Sequence, residues 1–102
     1  MTYRVWHRQP QDRLDPKPTV FPTDYTQVAT VETDDIGRVF QLTNHIDHNW
    51  WENPEVTWYT QSRSTSVGDV IEGPAGQRVY VAGVGLRDVP AHGVIPRDLG
   101  YF

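Results

Sequence analysis

The chain has 102 residues, 37% of them hydrophobic and 12% aromatic, with a net charge of −4. A chain of this length buries roughly 65% of its unfolded surface, enough for one core, so residues 1–102 read as one domain. The acidic balance argues against general phosphate-backbone binding; the lack of cysteine excludes disulfides, thiolate chemistry and Cys-ligated zinc; and no apolar run nears the ~18 residues of a membrane span. Met1 to Pro10 alternates polar and apolar residues and has no leader-like apolar core, so a reducing cytoplasm is the expected setting. Lys17 is the only lysine, and the arginines are scattered along the chain instead of forming a recognition patch.

Tyr3 to Arg8 alternates, with Tyr3, Val5 and His7 on one face and Arg4, Trp6 and Arg8 on the other, which predicts a strand. Gln9 to Pro22 carries Pro10, Pro16, Pro18 and Pro22 and reads as a proline-rich extended loop. Tyr25 to Glu32 is rich in β-branched residues and predicts a second strand. Thr33 then reads as a helix N-cap, with Asp34 and Asp35 in the first turn, where the helix dipole favours negative charge. Ile36, Val39, Phe40 and Thr43 fall on one face of a helix ending near Asn44.

His45 to Pro54 reads as a polar loop carrying the adjacent pair Trp50 and Trp51, followed by a short strand over Glu55 to Thr60. Arg63-Ser64-Thr65-Ser66-Val67-Gly68-Asp69 has the look of a tight corner. In it Ser66 satisfies local backbone, Gly68 supplies conformational freedom and Asp69 accepts from a nearby N–H. A strand over Val70 to Glu72, the turn Gly73-Pro74-Ala75-Gly76 and a strand over Gln77 to Ala82 complete a hairpin, and Val84 to Val89 extends it. From Pro90 to Phe102 glycine and proline recur, and the tail reads as irregular. The expected fold is α+β, one helix on a mainly antiparallel sheet with a C-terminal hairpin.

His45, Asp47 and His48 are the one cluster of metal-ligating types, but His-x-Asp-His lacks the i, i+4 spacing of helical zinc motifs, and a polar loop accounts for it. Gly83-Val84-Gly85-Leu86 fails as a dinucleotide loop because Asp88 stands at the third glycine position. Neither Ser64 nor Ser66 lies in a nucleophile elbow. The tryptophans are more informative. Two consecutive indoles in a polar loop do not both point inward with ease, so core packing and partner contact stand equal for Trp50 and Trp51.

Asp34-Asp35-Ile36-Gly37-Arg38-Val39-Phe40-Gln41-Leu42-Thr43-Asn44, a loop with Pro54, then Arg63-Ser64-Thr65-Ser66-Val67-Gly68-Asp69-Val70-Ile71 and a strand ending near Gly85-Leu86 together resemble the YodL-like domains of bacteriophages, plasmids and integrative elements. Those domains carry a short amphipathic helix, a Ser-Leu-Ser-Val-Gly-Asp-Val-Val-type run and a hairpin. Here Thr65 stands for the usual Leu, and Leu42-Thr43-Asn44 replaces the usual Phe-Asn helix end. The resemblance spans residues 34–86 and implies a mobile-element protein acting on host processes, with no catalytic residues to carry over. The functional expectation is therefore a non-enzymatic protein, without cofactor or metal, that binds a host bacterial protein through Trp50, Trp51, Trp58 and Arg63. The alternatives are a small metal-dependent hydrolase using His45, Asp47 and His48, or an acidic DNA mimic or other nucleic-acid-interacting protein.

Overall fold

A computed structural model describes residues 1–9, 18–44, 50–59, 63–83 and 85–95. Among these residues eight strands and one α-helix follow in the order β1 (Thr2–Arg8), β2 (Thr19–Val20), β3 (Tyr25–Glu32), α1 (Ile36–Thr43), β4 (Val56–Trp58), β5 (Val70–Glu72), β6 (Arg78–Val81), β7 (Leu86–Asp88) and β8 (Val94–Ile95), with a 3-10 turn at Trp50–Glu52. Six strands form an antiparallel sheet in the order β4-β3-β1-β5-β6-β7, and β2 and β8 pair in a second, two-stranded sheet. This is the α+β arrangement expected from the sequence.

Alternation along β1 divides the interior. Tyr3, Val5 and Ile71 join Val31, Val39, Leu42 and Trp50 in a core under α1, while Trp6 and Val70 join Phe21, Tyr25, Tyr80 and Ile95 on the opposite face of the sheet. Because both faces are covered at its centre, β5 is buried along its whole length, and its Val-Ile pair reads as a continuous apolar run. A register shift between Val5 and Trp6 marks a bulge where β1 meets β3.

Three expectations need correction. The helix begins later than Thr33: the Thr33 N–H is still bonded to the Met1 carbonyl at 3.0 Å, so the chain stays extended, and Asp35 caps α1 by accepting from Gly37 N–H at 3.0 Å. Asp34 and Asp35 thus precede the first turn, and the inward stripe is Val39, Leu42 and Thr43, with Ile36 and Phe40 half-buried at its margin. The proline-rich loop from Gln9 to Pro22 contains β2, and the tail from Pro90, expected to be irregular, contains β8. Thr19 pairs with Ile95 and Val20 with Val94. Ile95 is fully buried in the second core, which is why a two-residue strand holds there. Residues 10–17 of the loop and 96–102 of the tail lie outside the described residues.

Candidate functional site

The corner preceding β5 is a closed polar knot around Asp69, whose side chain is fully buried. Its Oδ1 accepts from Arg8 N–H at 2.8 Å and from Arg63 Nη2 at 2.7 Å; its Oδ2 accepts from Ser66 N–H at 2.8 Å and from Arg63 Nη1 at 2.6 Å. A buried carboxylate is tolerable only when paired and hydrogen-bonded in this way. Gly68 takes φ +94°, and a Cβ there would lie 2.7 Å from Arg8 Nη1. Its N–H reaches the Val81 carbonyl at 2.8 Å, and its carbonyl accepts from the Tyr25 hydroxyl at 2.6 Å. The corner is thereby tied to β1, β3 and β6 at once.

His7 approaches the knot from β1. Its Nε2 lies 3.0 Å from Thr65 Oγ1 and 3.9 Å from Asp69 Oδ2. Burial drives its pKa down to about 4; the Asp69 charge opposes the shift and the Arg63 charge adds to it. A hydroxyl, an imidazole and a carboxylate in one cluster invite comparison with a catalytic triad, but the geometry differs. The hydroxyl and the carboxylate both face Nε2, whereas a relay sets the carboxylate on the opposite ring nitrogen, and Thr65 is fully buried beyond the reach of a substrate. These groups form a clamp.

The aromatic residues diverge. Trp50 is 1% exposed; its ring meets Trp51 edge-on at 5.7 Å, and its Nε1 donates to the Arg63 carbonyl at 3.1 Å. Of the residues expected to meet a partner, Trp50 is therefore core. Arg63, whose side chain is 44% exposed, commits its guanidinium to the corner: besides Asp69 it reaches the carbonyls of Arg8 and Ser64 at 3.2 and 3.1 Å and Ser66 Oγ at 3.1 Å. Trp51 is half-buried against the α1 core. Trp58 and Tyr59, by contrast, are 43% and 57% exposed. His45, Asp47 and His48 lie outside the described residues. Among the described residues no group of three or more His, Asp or Glu side chains is placed to hold a metal ion.

Trp58 and Tyr59 stand at the edge of the main sheet. Tyr59 N–H bonds to the Val28 carbonyl at 2.8 Å and Glu32 N–H to the Glu55 carbonyl at 2.9 Å. Antiparallel alternation then turns the backbone of Thr57 toward Thr30 and the N–H and C=O of Trp58 away from β3. No described strand lies beyond β4. Val56, Thr57, Trp58 and Tyr59 include no charge and no proline. The opposite edge, β7, carries the exposed charged pair Arg87 and Asp88, the usual guard against strand addition. Among the described residues, the open edge is β4.

Sequence reasoning overlooked His7 and Thr65, which complete the clamp. The signal for His7 was present in its inward register with Tyr3 and Val5. No helix among the described residues is long and apolar enough to cross a membrane. No family model, no curated protein and no solved structure matches the chain.

Proposed function

We propose that this is a non-enzymatic protein-binding domain that takes an extended segment of a partner protein onto the free edge of β4, with Trp58 and Tyr59 as its aromatic anchors. The observation that carries the reading is the exposure of both rings, at 43% and 57%, on an edge strand without charge or proline. Main-chain hydrogen bonds to Trp58 would supply affinity, and the rings would select side chains on alternate positions of the incoming strand. Large aromatic side chains are also the commonest binding hot spots, because they bring much apolar area with few rotatable bonds. The resemblance of residues 34–86 to YodL-like domains supports a mobile-element protein and a host bacterial protein, met in the cytoplasm, as the partner.

The test is selection of extended peptides from a random display library on the wild-type protein, followed by amide-shift mapping of the selected peptides. Shifts centred on Val56–Tyr59, and loss of binding in Trp58→Lys, are expected. Selected peptides that map elsewhere, or that bind Trp58→Lys as well as wild type, would overturn the reading.

A further inference from the structure

The second face of the sheet carries a feature independent of the β4 edge. Arg4 on β1, Glu72 on β5 and Arg78 on β6 are cross-strand partners in one row. Glu72 Oε1 accepts from Arg4 Nη1 at 3.1 Å, and Oε2 accepts from Arg78 Nε at 2.8 Å. Burial alone would raise the Glu72 pKa; the hydrogen bonds from Arg78 and Arg4 outweigh it and hold the group below the ordinary glutamate value. One carboxylate thus stands between two guanidinium groups. The exposed Arg87 lies opposite Tyr80, two residues along β6 from Arg78 and so on the same face. In a chain of net charge −4 this is a local excess of positive charge.

Arg78 is held in a particular pose. Its Cζ sits 5.1 Å above the Phe21 ring, and Glu72 occupies its Nε. Among the described residues Nη1 and Nη2 have no hydrogen-bond partner. Arg78 lines a cavity of about 230 Å³ together with Phe21, Gly76, Val89, His92 and Gly93. The turn that carries His92 is closed by Gly93 N–H to the Pro90 carbonyl at 2.9 Å and fastened to β2 by Phe21 N–H to the Gly93 carbonyl at 2.8 Å. Gly93 has φ +76°, and a Cβ there would lie 2.7 Å from the Phe21 carbonyl oxygen, so this wall depends on glycine. His92 Nδ1 accepts from Val94 N–H at 3.1 Å, which leaves the ring proton on Nε2 as a donor. Among the described residues no carboxylate lines the cavity.

We propose that this cavity is an oxyanion site that receives the phosphate or carboxylate group of a small ligand, with the two Nη of Arg78 as a bidentate fork and His92 Nε2 as a second donor. A lining rich in donors and lacking a carboxylate selects an anion, and a guanidinium fixed through its Nε presents its remaining fork ready-made. The volume lies below the range typical of drug-sized ligands, which suits a single oxyanion group with a short appendage.

The test is a titration of the full chain, followed by ¹⁵N correlation spectra, with sodium phosphate and separately with sodium acetate, at constant ionic strength set by sodium chloride. Saturable shifts at Gly76, at Ala91 to Gly93 and at Arg78 Nε are expected with at least one of the two anions. Saturation by phosphate alone assigns a tetrahedral oxyanion, and saturation by acetate alone a carboxylate. Arg78→Lys retains the charge and loses the fork, and should weaken binding about tenfold. If that variant does not fold, His92→Ala, which changes an exposed side chain, should weaken it about threefold. Shifts that never saturate with either anion would overturn the site. So would saturable binding that both variants leave unchanged.

Discussion

The Asp69 corner and the β4 edge are the two most distinctive regions of the molecule, and they treat their polar groups in opposite ways. In the corner, both carboxylate oxygens of the buried Asp69 are bonded within the protein, and the guanidinium of Arg63, though partly exposed, is tied to them. At the edge, the backbone of Trp58 faces away from the sheet and two large rings stand in solvent. A motif-like run of residues can thus serve the scaffold and not the surface. The residues that look most specific in the sequence hold the scaffold, and among the described residues a less conspicuous three-residue strand is left open. Substitutions in the corner should change stability, and substitutions at the edge should change binding alone.

The largest expected effect comes from Trp50→Ala. Removing a fully packed indole that also bonds the Arg63 carbonyl should destabilise the fold by about 3–5 kcal/mol, measured by urea denaturation. A loss below about 1 kcal/mol would place Trp50 at a surface and blur the contrast. Asp69→Asn follows. It removes the charge that Arg63 pairs with and leaves an amide nitrogen facing a donor, so a cost of about 3 kcal/mol is expected from the same measurement. Peptide binding at β4 should persist in whatever fraction remains folded.

Acid provides a more gradual probe of the corner. His7 has a folded pKa of about 4 against an ordinary 6.5, so between these values the unfolded chain binds the extra proton and the folded one does not. Stability should therefore be fully present above about pH 6.5 and fall as the pH is lowered toward 4, by about 3 kcal/mol over the window. Glu72, whose pKa is lowered, adds a loss in the same direction at the acid end. His7→Gln should flatten the profile between pH 6.5 and 4. An unchanged slope in that variant would show that another group titrates there.

Much of this contrast is legible in the sequence, and the illegible part has a physical cause. Alternation exposed β1 and its inward His7 register, and β-branched density gave β3 its observed bounds. Gly68 and Asp69 announced a corner, because few other residue types tolerate that backbone and bond it locally. The start of α1 misread because Thr33 and Asp35 are both accepted N-caps, and the pairing of Thr33 with Met1, which holds Thr33 in the extended chain, leaves Asp35 as the cap. The pairing of β2 with β8 leaves no local trace, since two-residue strands have no period to detect. The division among Trp50, Trp51 and Trp58 depends on which face α1 covers, and that is a tertiary fact.

The most direct measurement compares Trp58→Pro with Trp58→Ala for stability and for binding of peptides selected on the wild-type protein. Both variants remove the ring, but only proline also removes the outward N–H, at an edge position where a missing donor leaves the pairing with β3 intact. Each should cost about 0.5 kcal/mol or less in stability. The alanine variant should bind more weakly than wild type, and the proline variant should bind more weakly again, by a further factor of about ten. Equal binding by the two variants would contradict strand addition at β4. Unfolding of both would contradict the division between a closed corner and an open edge.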